Sequence, residues 1–89
     1  MRIELADYVT WYEKGEEIVV IDRRHSARSG LAEASAILWR KVAEGAPVSE
    51  LSRAVAEAYG VSDDDAASLV ETFAAQLAAR ELLFVRGEK

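Results

Sequence analysis

The stretch Glu16–Gly45, EEIVVIDRRHSARSGLAEASAILWRKVAEG, decides the fold, because the hydrophobic period changes inside it. Glu17 to Arg23 carries the run Ile18-Val19-Val20-Ile21, whose β-branched side chains suit a pleated, half-buried strand. From Glu33 the apolar positions become Ala34, Ile37, Leu38 and Val42, with Lys41 and Glu44 outside. That spacing is one face of a helix, and Gly45 ends it. The switch near Leu31 therefore divides a strand-forming N-terminal part from a helix-forming remainder.

Toward the N-terminus, Tyr8 to Tyr12 is aromatic and β-branched, and Lys14-Gly15-Glu16 is a turn signal. Together with Glu17–Arg23 these residues predict a hairpin. A third extended piece spans His25 to Leu31, argued more from its place after the hairpin than from Ser26, Ala27, Ser29 and Gly30, which have little strand preference. Adjacent Trp11 and Tyr12 must point to opposite faces, one buried and one partly wet. Toward the C-terminus, Pro47 opens a second helix whose stripe of Leu51, Ala54, Val55, Ala58 and Tyr59 stops at Gly60. Ser62 followed by Asp65 has the form of a capping box and starts a third helix near Asp63, with Ala66, Leu69, Val70, Phe73, Leu77 and Ala78 as its stripe to about Ala79. Leu82-Leu83-Phe84-Val85 reads as a short strand or a packed tail. The predicted fold is α+β: a three-stranded antiparallel N-terminal sheet followed by three helices, with the third helix the longest apolar surface available to cover the sheet.

A chain of 89 residues removes about 60–65% of its unfolded surface from water, which supports one core, so residues 1–89 are read as a single domain. Hydrophobic residues at 51% and charged residues at 30% are the mixture of a folding chain rather than a disordered one. Without cysteine there is no disulfide, thiolate metal site or thiol nucleophile, and with His25 as the only histidine no histidine-based metal site is expected. No cofactor is expected either. The N-terminus MRIELADYVTW has no apolar run of signal-peptide length and no stretch approaches a membrane span, so a cytoplasmic location away from membranes is the expectation. A net charge of -5 opposes a polyanionic partner.

Three local features invite a chemical reading. Ser26 and Ser29 beside His25 lack the orienting acid and oxyanion donors of a nucleophilic site, Asp22 being only a loose third member; exposed polar residues on a strand or turn account for them better. Asp63-Asp64-Asp65 lacks the spaced ligands of a calcium loop, and capping of the third helix explains it. Arg23, Arg24, His25 and Arg28 form a basic cluster in an acidic chain, suited either to an acidic segment or to guarding a sheet edge. Trp39 is read as core.

Taken in order, Val19-Val20-Ile21-Asp22, Leu31 eight residues before Trp39, Glu44-Gly45 ahead of Val48-Ser49-Glu50-Leu51, Ala58-Tyr59-Gly60-Val61, then Val70, Phe73, Leu77 and Leu82-Leu83 resemble the PqqD-like family of leader-peptide recognition domains. That family serves the biosynthesis of modified ribosomal peptides, lasso peptides among them, and of pyrroloquinoline quinone. The resemblance covers nearly the whole chain. It departs from the family at Ala32, where asparagine is common, at Leu69, where an acidic residue is common, and at Glu81, where glycine is common.

The resemblance implies a winged-helix-like domain that takes a precursor's leader as a further strand beside the third strand, against the third helix. It implies a strand edge from His25 to Leu31, involving His25, Ser26, Ala27, Arg28, Ser29 and Leu31, and a groove wall of Val70, Phe73, Leu77 and Arg80. Arg24 and Arg28 would pair with acidic leader residues. The implied protein is a non-catalytic adaptor, monomeric or weakly dimeric, whose partners are the leader and a separate modifying enzyme or leader peptidase. The alternative is a winged helix-turn-helix DNA binder, since the second and third helices flank the turn Gly60-Val61. Against it, Asp63 to Ala79 contains no Lys or Arg and begins with three aspartates.

Overall fold

The computed structural model describes residues 2–87. In chain order the elements are β1 (Arg2–Leu5), β2 (Val9–Lys14), β3 (Glu17–Asp22), β4 (Ala27–Leu31), α1 (Ala34–Ala43), α2 (Val48–Tyr59), α3 (Asp63–Ala79) and β5 (Leu83–Arg86). The α+β plan read from the sequence is present: β2, β3 and β4 form an antiparallel sheet in that order, and three helices follow.

The structure adds a second sheet. β1 pairs antiparallel with β5, Ile3 opposite Val85 and Leu5 opposite Leu83, which fastens the two ends of the chain together. Ile3 and Leu83 turn into the core while Phe84 and Val85 stay exposed. This resolves Leu82–Val85 into a strand. The alternation in Arg2-Ile3-Glu4-Leu5 is a strand signal too short to be read without its distant partner.

Alternation explains the three-stranded sheet. On its inner face Trp11 stands opposite Val20, and Ile18 opposite Leu31. On the outer face Tyr12 pairs with Val19 and Ile21 with Arg28. Trp11 is half-buried and Tyr12 exposed, as the adjacency of the two aromatics requires.

The helix laid on this sheet is not the one the sequence favours. α1 packs on β3 and β1, whereas α3 packs on α2, β5 and α1. The reason lies in side-chain size: α1 brings Leu38, Trp39 and Val42 into the core, and Trp39 is fully buried at 0% exposure. The α3 stripe of Ala66, Val70, Phe73, Ala74 and Leu77 fills the space between the helices instead. Its start is fixed by Ser62, whose Oγ accepts the Asp65 backbone N–H at 3.1 Å, with three aspartates in the first turn. α2 ends at Gly60 in the left-handed region, φ +64°, a conformation glycine adopts without a side-chain penalty. No helix among the described residues is long and apolar enough to cross a membrane.

Candidate functional site

The only basic cluster singled out in the sequence is split by the fold into bound and available members. Asp22, 5% exposed, accepts three hydrogen bonds from Arg24: from the backbone N–H at 2.9 Å, Nε at 3.1 Å and Nη2 at 2.8 Å. Arg24 also meets Glu81 through Nη1 at 2.9 Å and lies over the Tyr8 ring at 4.1 Å. The Tyr8 hydroxyl donates to the Glu81 carbonyl at 2.6 Å. The Arg24 hydrogen bonds hold the Asp22 carboxyl below the usual carboxylate range, against the opposing effect of burial. Arg24 thus ties the β3–β4 turn to the segment after α3, its guanidinium paired with Asp22 and Glu81 where the resemblance implies an acidic leader residue. Arg23 is spent as well, donating to the carbonyls of Asp7 at 2.8 Å and Tyr8 at 3.1 Å. His25 and Arg28 are exposed and make no side-chain hydrogen bond or ion pair among the described residues.

The same network accounts for one departure from the family pattern. Glu81 has φ +62°, the left-handed region that favours glycine. A glutamate is held there with its carboxylate on Arg24 and its carbonyl on Tyr8.

Only part of the expected strand edge is strand. Arg24, His25 and Ser26 lie in the β3–β4 turn, with Ser26 at φ +55°, while Ala27, Arg28, Ser29, Gly30 and Leu31 form β4. β4 pairs with β3 on one side, and β5 pairs with β1 in the other sheet, so the second side of β4 is unpaired among the described residues. The phase of the ladder says which groups face it. Gly15, at φ +64°, leads a two-residue turn closing on Lys14 and Glu17, and turns with glycine first close on a hydrogen-bonded pair. Bonded and non-bonded pairs then alternate along the ladder. The Arg23 N–H bond to the Tyr8 carbonyl at 3.0 Å, two residues beyond the Ile21–Thr10 pair, fits that phase. Val19 and Ile21 therefore bond toward β2, and Ile18, Val20 and Asp22 toward β4, where their partners are Leu31, Ser29 and Ala27. The backbone groups of Arg28 and Gly30 are left pointing outward.

α3 faces this margin with a different set of residues from the one the resemblance implies. Val70, Phe73 and Leu77 are buried, none more than 4% exposed, and Leu31 is also core. They lie in the core and offer no accessible wall. The wall is read from contacts at the two ends. Arg80 donates from Nη2 to Ser29 Oγ on β4. At the other end Leu69 shares a cleft of about 390 Å³ with Ala32, Glu33, Ala34, Ser35, Tyr59 and Val61. Leu69, Gln76 and Arg80 fall at i, i+7 and i+11 on one stripe of the helix, with the buried Phe73 beneath them at i+4. Sequence reasoning missed Leu69, Tyr59 and Gln76; the exposure of two large apolar side chains where core was expected is visible only in the fold.

An α+β domain with an unpaired strand margin among the described residues and outward-facing main-chain groups has the geometry to take a further strand. The family comparison agrees in class: coenzyme PQQ synthesis protein D (PqqD) matches residues 17–83, and the chain belongs to that family. Among solved structures, TbiB1 in complex with the TbiA(beta) leader peptide is 22% identical, with 96% of this chain and 99% of that chain covered and a TM-score of 0.88. A lasso peptide synthetase B1 complexed with the leader peptide is 14% identical, covers 96% and 100% of the two chains and has a TM-score of 0.85. At these identities the likeness establishes the fold. No curated protein matches this chain.

Proposed function

We propose that this protein is a non-catalytic adaptor that takes the leader of a ribosomal precursor peptide as an added strand on β4 and presents it to a separate modifying enzyme or leader peptidase. The observation that carries the reading is the unpaired margin of β4, with the backbone groups of Arg28 and Gly30 directed outward beside α3. Main-chain pairing at such an edge supplies affinity, and side-chain pockets beside it supply sequence choice. Both similar solved structures are leader-peptide complexes, which supports the same occupant here. The whole of residues 1–89 acts as one recognition domain in the cytoplasm, where precursors are made. The peptide-facing residues are Ala27, Arg28, Ser29 and Gly30 on the strand, Leu69 on α3, Arg80 just past its end, and His25 and Ser26 at the turn. Asp63-Asp64-Asp65 and Glu71, with no Lys or Arg on α3, set the charge of that helix against DNA phosphates.

Titration of 15N-labelled protein with the leader of a precursor encoded beside its gene tests the proposal. The amides of Arg28 and Gly30 are expected to shift and gain protection from exchange. Saturable binding that moves only β1 and β5 amides, or no binding at tens of micromolar, would sink it.

A further inference from the structure

The groove beside β4 is not uniform along its length. At the end where the chain leaves β4 for α1, Leu69 and Tyr59, 39% and 45% exposed, line the apolar cleft together with Val61 and Ala32. Glu33 lines the same cleft, and Glu16 and Glu17 border an adjoining one that shares Tyr59 and Glu33 and also holds Arg40. At the end where β4 begins, Arg28 is exposed on the outer sheet face and Arg80 reaches across from α3 to Ser29. An apolar, acid-flanked end therefore faces a basic end along one strand-binding margin.

Resting on the strand-accepting reading above, we infer that this groove selects a polarised peptide, bound antiparallel to β4, with a large apolar anchor followed four to six residues later by acidic residues. Antiparallel pairing is the more stable ladder and the one this sheet already uses. It brings the N-terminal part of the segment to the Leu69–Tyr59 cleft, since β4 runs away from the basic end. The spacing follows from geometry. From Leu69 to Arg80 the helix rises about 16 Å, which an extended strand covers in about five residues at roughly 3.3 Å each.

Side chains on the anchor's face recur at even spacings, so an acidic residue four or six positions on meets Arg80. There it exchanges the neutral Ser29 hydroxyl for a carboxylate, and charge-assisted hydrogen bonds are the stronger kind. An acidic residue five positions on turns to the outer face and meets Arg28. A segment with the reverse pattern sets its acid at the Glu33 end, beside a like charge and away from Arg28 and Arg80.

The test uses synthetic twelve-residue peptides on a Thr/Val/Ser background, each with one Trp anchor and one Asp, and measures binding by fluorescence anisotropy and β4 amide shifts. Expected are at least a tenfold loss on replacing Trp by Ala, and a severalfold gain for Asp at +4, +5 or +6 over no Asp. The reversed peptide should show no such gain. Leu69→Lys should erase the preference for Trp over Ala. Arg80→Ala should erase the gain at +4 and +6 alone, and Arg28→Ala the gain at +5 alone. All three side chains are exposed, and near-UV circular dichroism verifies that each variant keeps its packing. Equal affinity for every peptide, with β4 amides still shifting, overturns the inference and leaves strand capture standing. No β4 shift with any peptide overturns both.

Discussion

Gly30→Pro separates main-chain capture from every other way this surface could bind. Gly30 stands opposite Val19 in a pair that makes no ladder bonds, so its N–H points to the open side of β4 and takes no part in holding β3. Proline is tolerated on an edge strand where the lost N–H faces solvent. A docked strand, by contrast, loses one backbone hydrogen bond, about 0.5–1.5 kcal/mol net, and keeps a carbonyl covered without a donor, about 1–3 kcal/mol. The combined effect is about 1.5–4.5 kcal/mol, a weakening of at least roughly tenfold. Isothermal titration of a leader peptide against wild type, Gly30→Pro and Gly30→Ala measures it. The alanine variant is the control: a Cβ at Gly30 meets nothing within 4 Å, so its affinity should stay near that of wild type. If Gly30→Pro unfolds cooperatively and still binds like wild type, the peptide does not pair with this margin and the phase assigned to β4 is wrong.

Two further outcomes concern what holds the margin in place. Asp22 has a depressed pKa because of Arg24, so the stability it confers is fully present above about pH 4, the ordinary carboxylate value, and is lost as pH falls through the lower folded value. Acid unfolding of Asp22→Asn should begin from a lower neutral-pH stability and lack that acid-dependent component; identical acid profiles would show that the pair does not couple to folding. Trp39 is fully buried and its Nε1 donates to no protein acceptor among the described residues. Urea unfolding should show Trp39→Ala costing about 3–5 kcal/mol, and Trp39→Phe distinctly less, because phenylalanine fills most of the volume and leaves no unpaired donor; equal losses would mean the indole N–H is satisfied in solution.

Particular residues show where local reading ends. Ser62, Gly45 and Gly60 act on the backbone within a turn of their own position, and the helix bounds they imply stand in the fold. Arg24 and Arg28 look alike in sequence, yet one is bound to Glu81, 57 positions away, and the other is exposed. Likewise Leu69 and Val70 are neighbours on an apolar stripe, and only the packing of α3 on α2 and β5 turns Val70 inward and leaves Leu69 at a cleft.

By itself the sequence determined the elements of this protein: the change of period at Leu31, the helix ends, the antiparallel meander and the burial of Trp39. It also carried the family. Tertiary structure alone decided that β1 and β5 pair in their own sheet, that α1 packs on β3, and that β4 is left with an open side among the described residues. The physical reason is range. Propensity, periodicity and capping act over a few residues and are written into adjacent letters, whereas strand partnership and the fate of a charge depend on groups that meet only once the whole chain has folded.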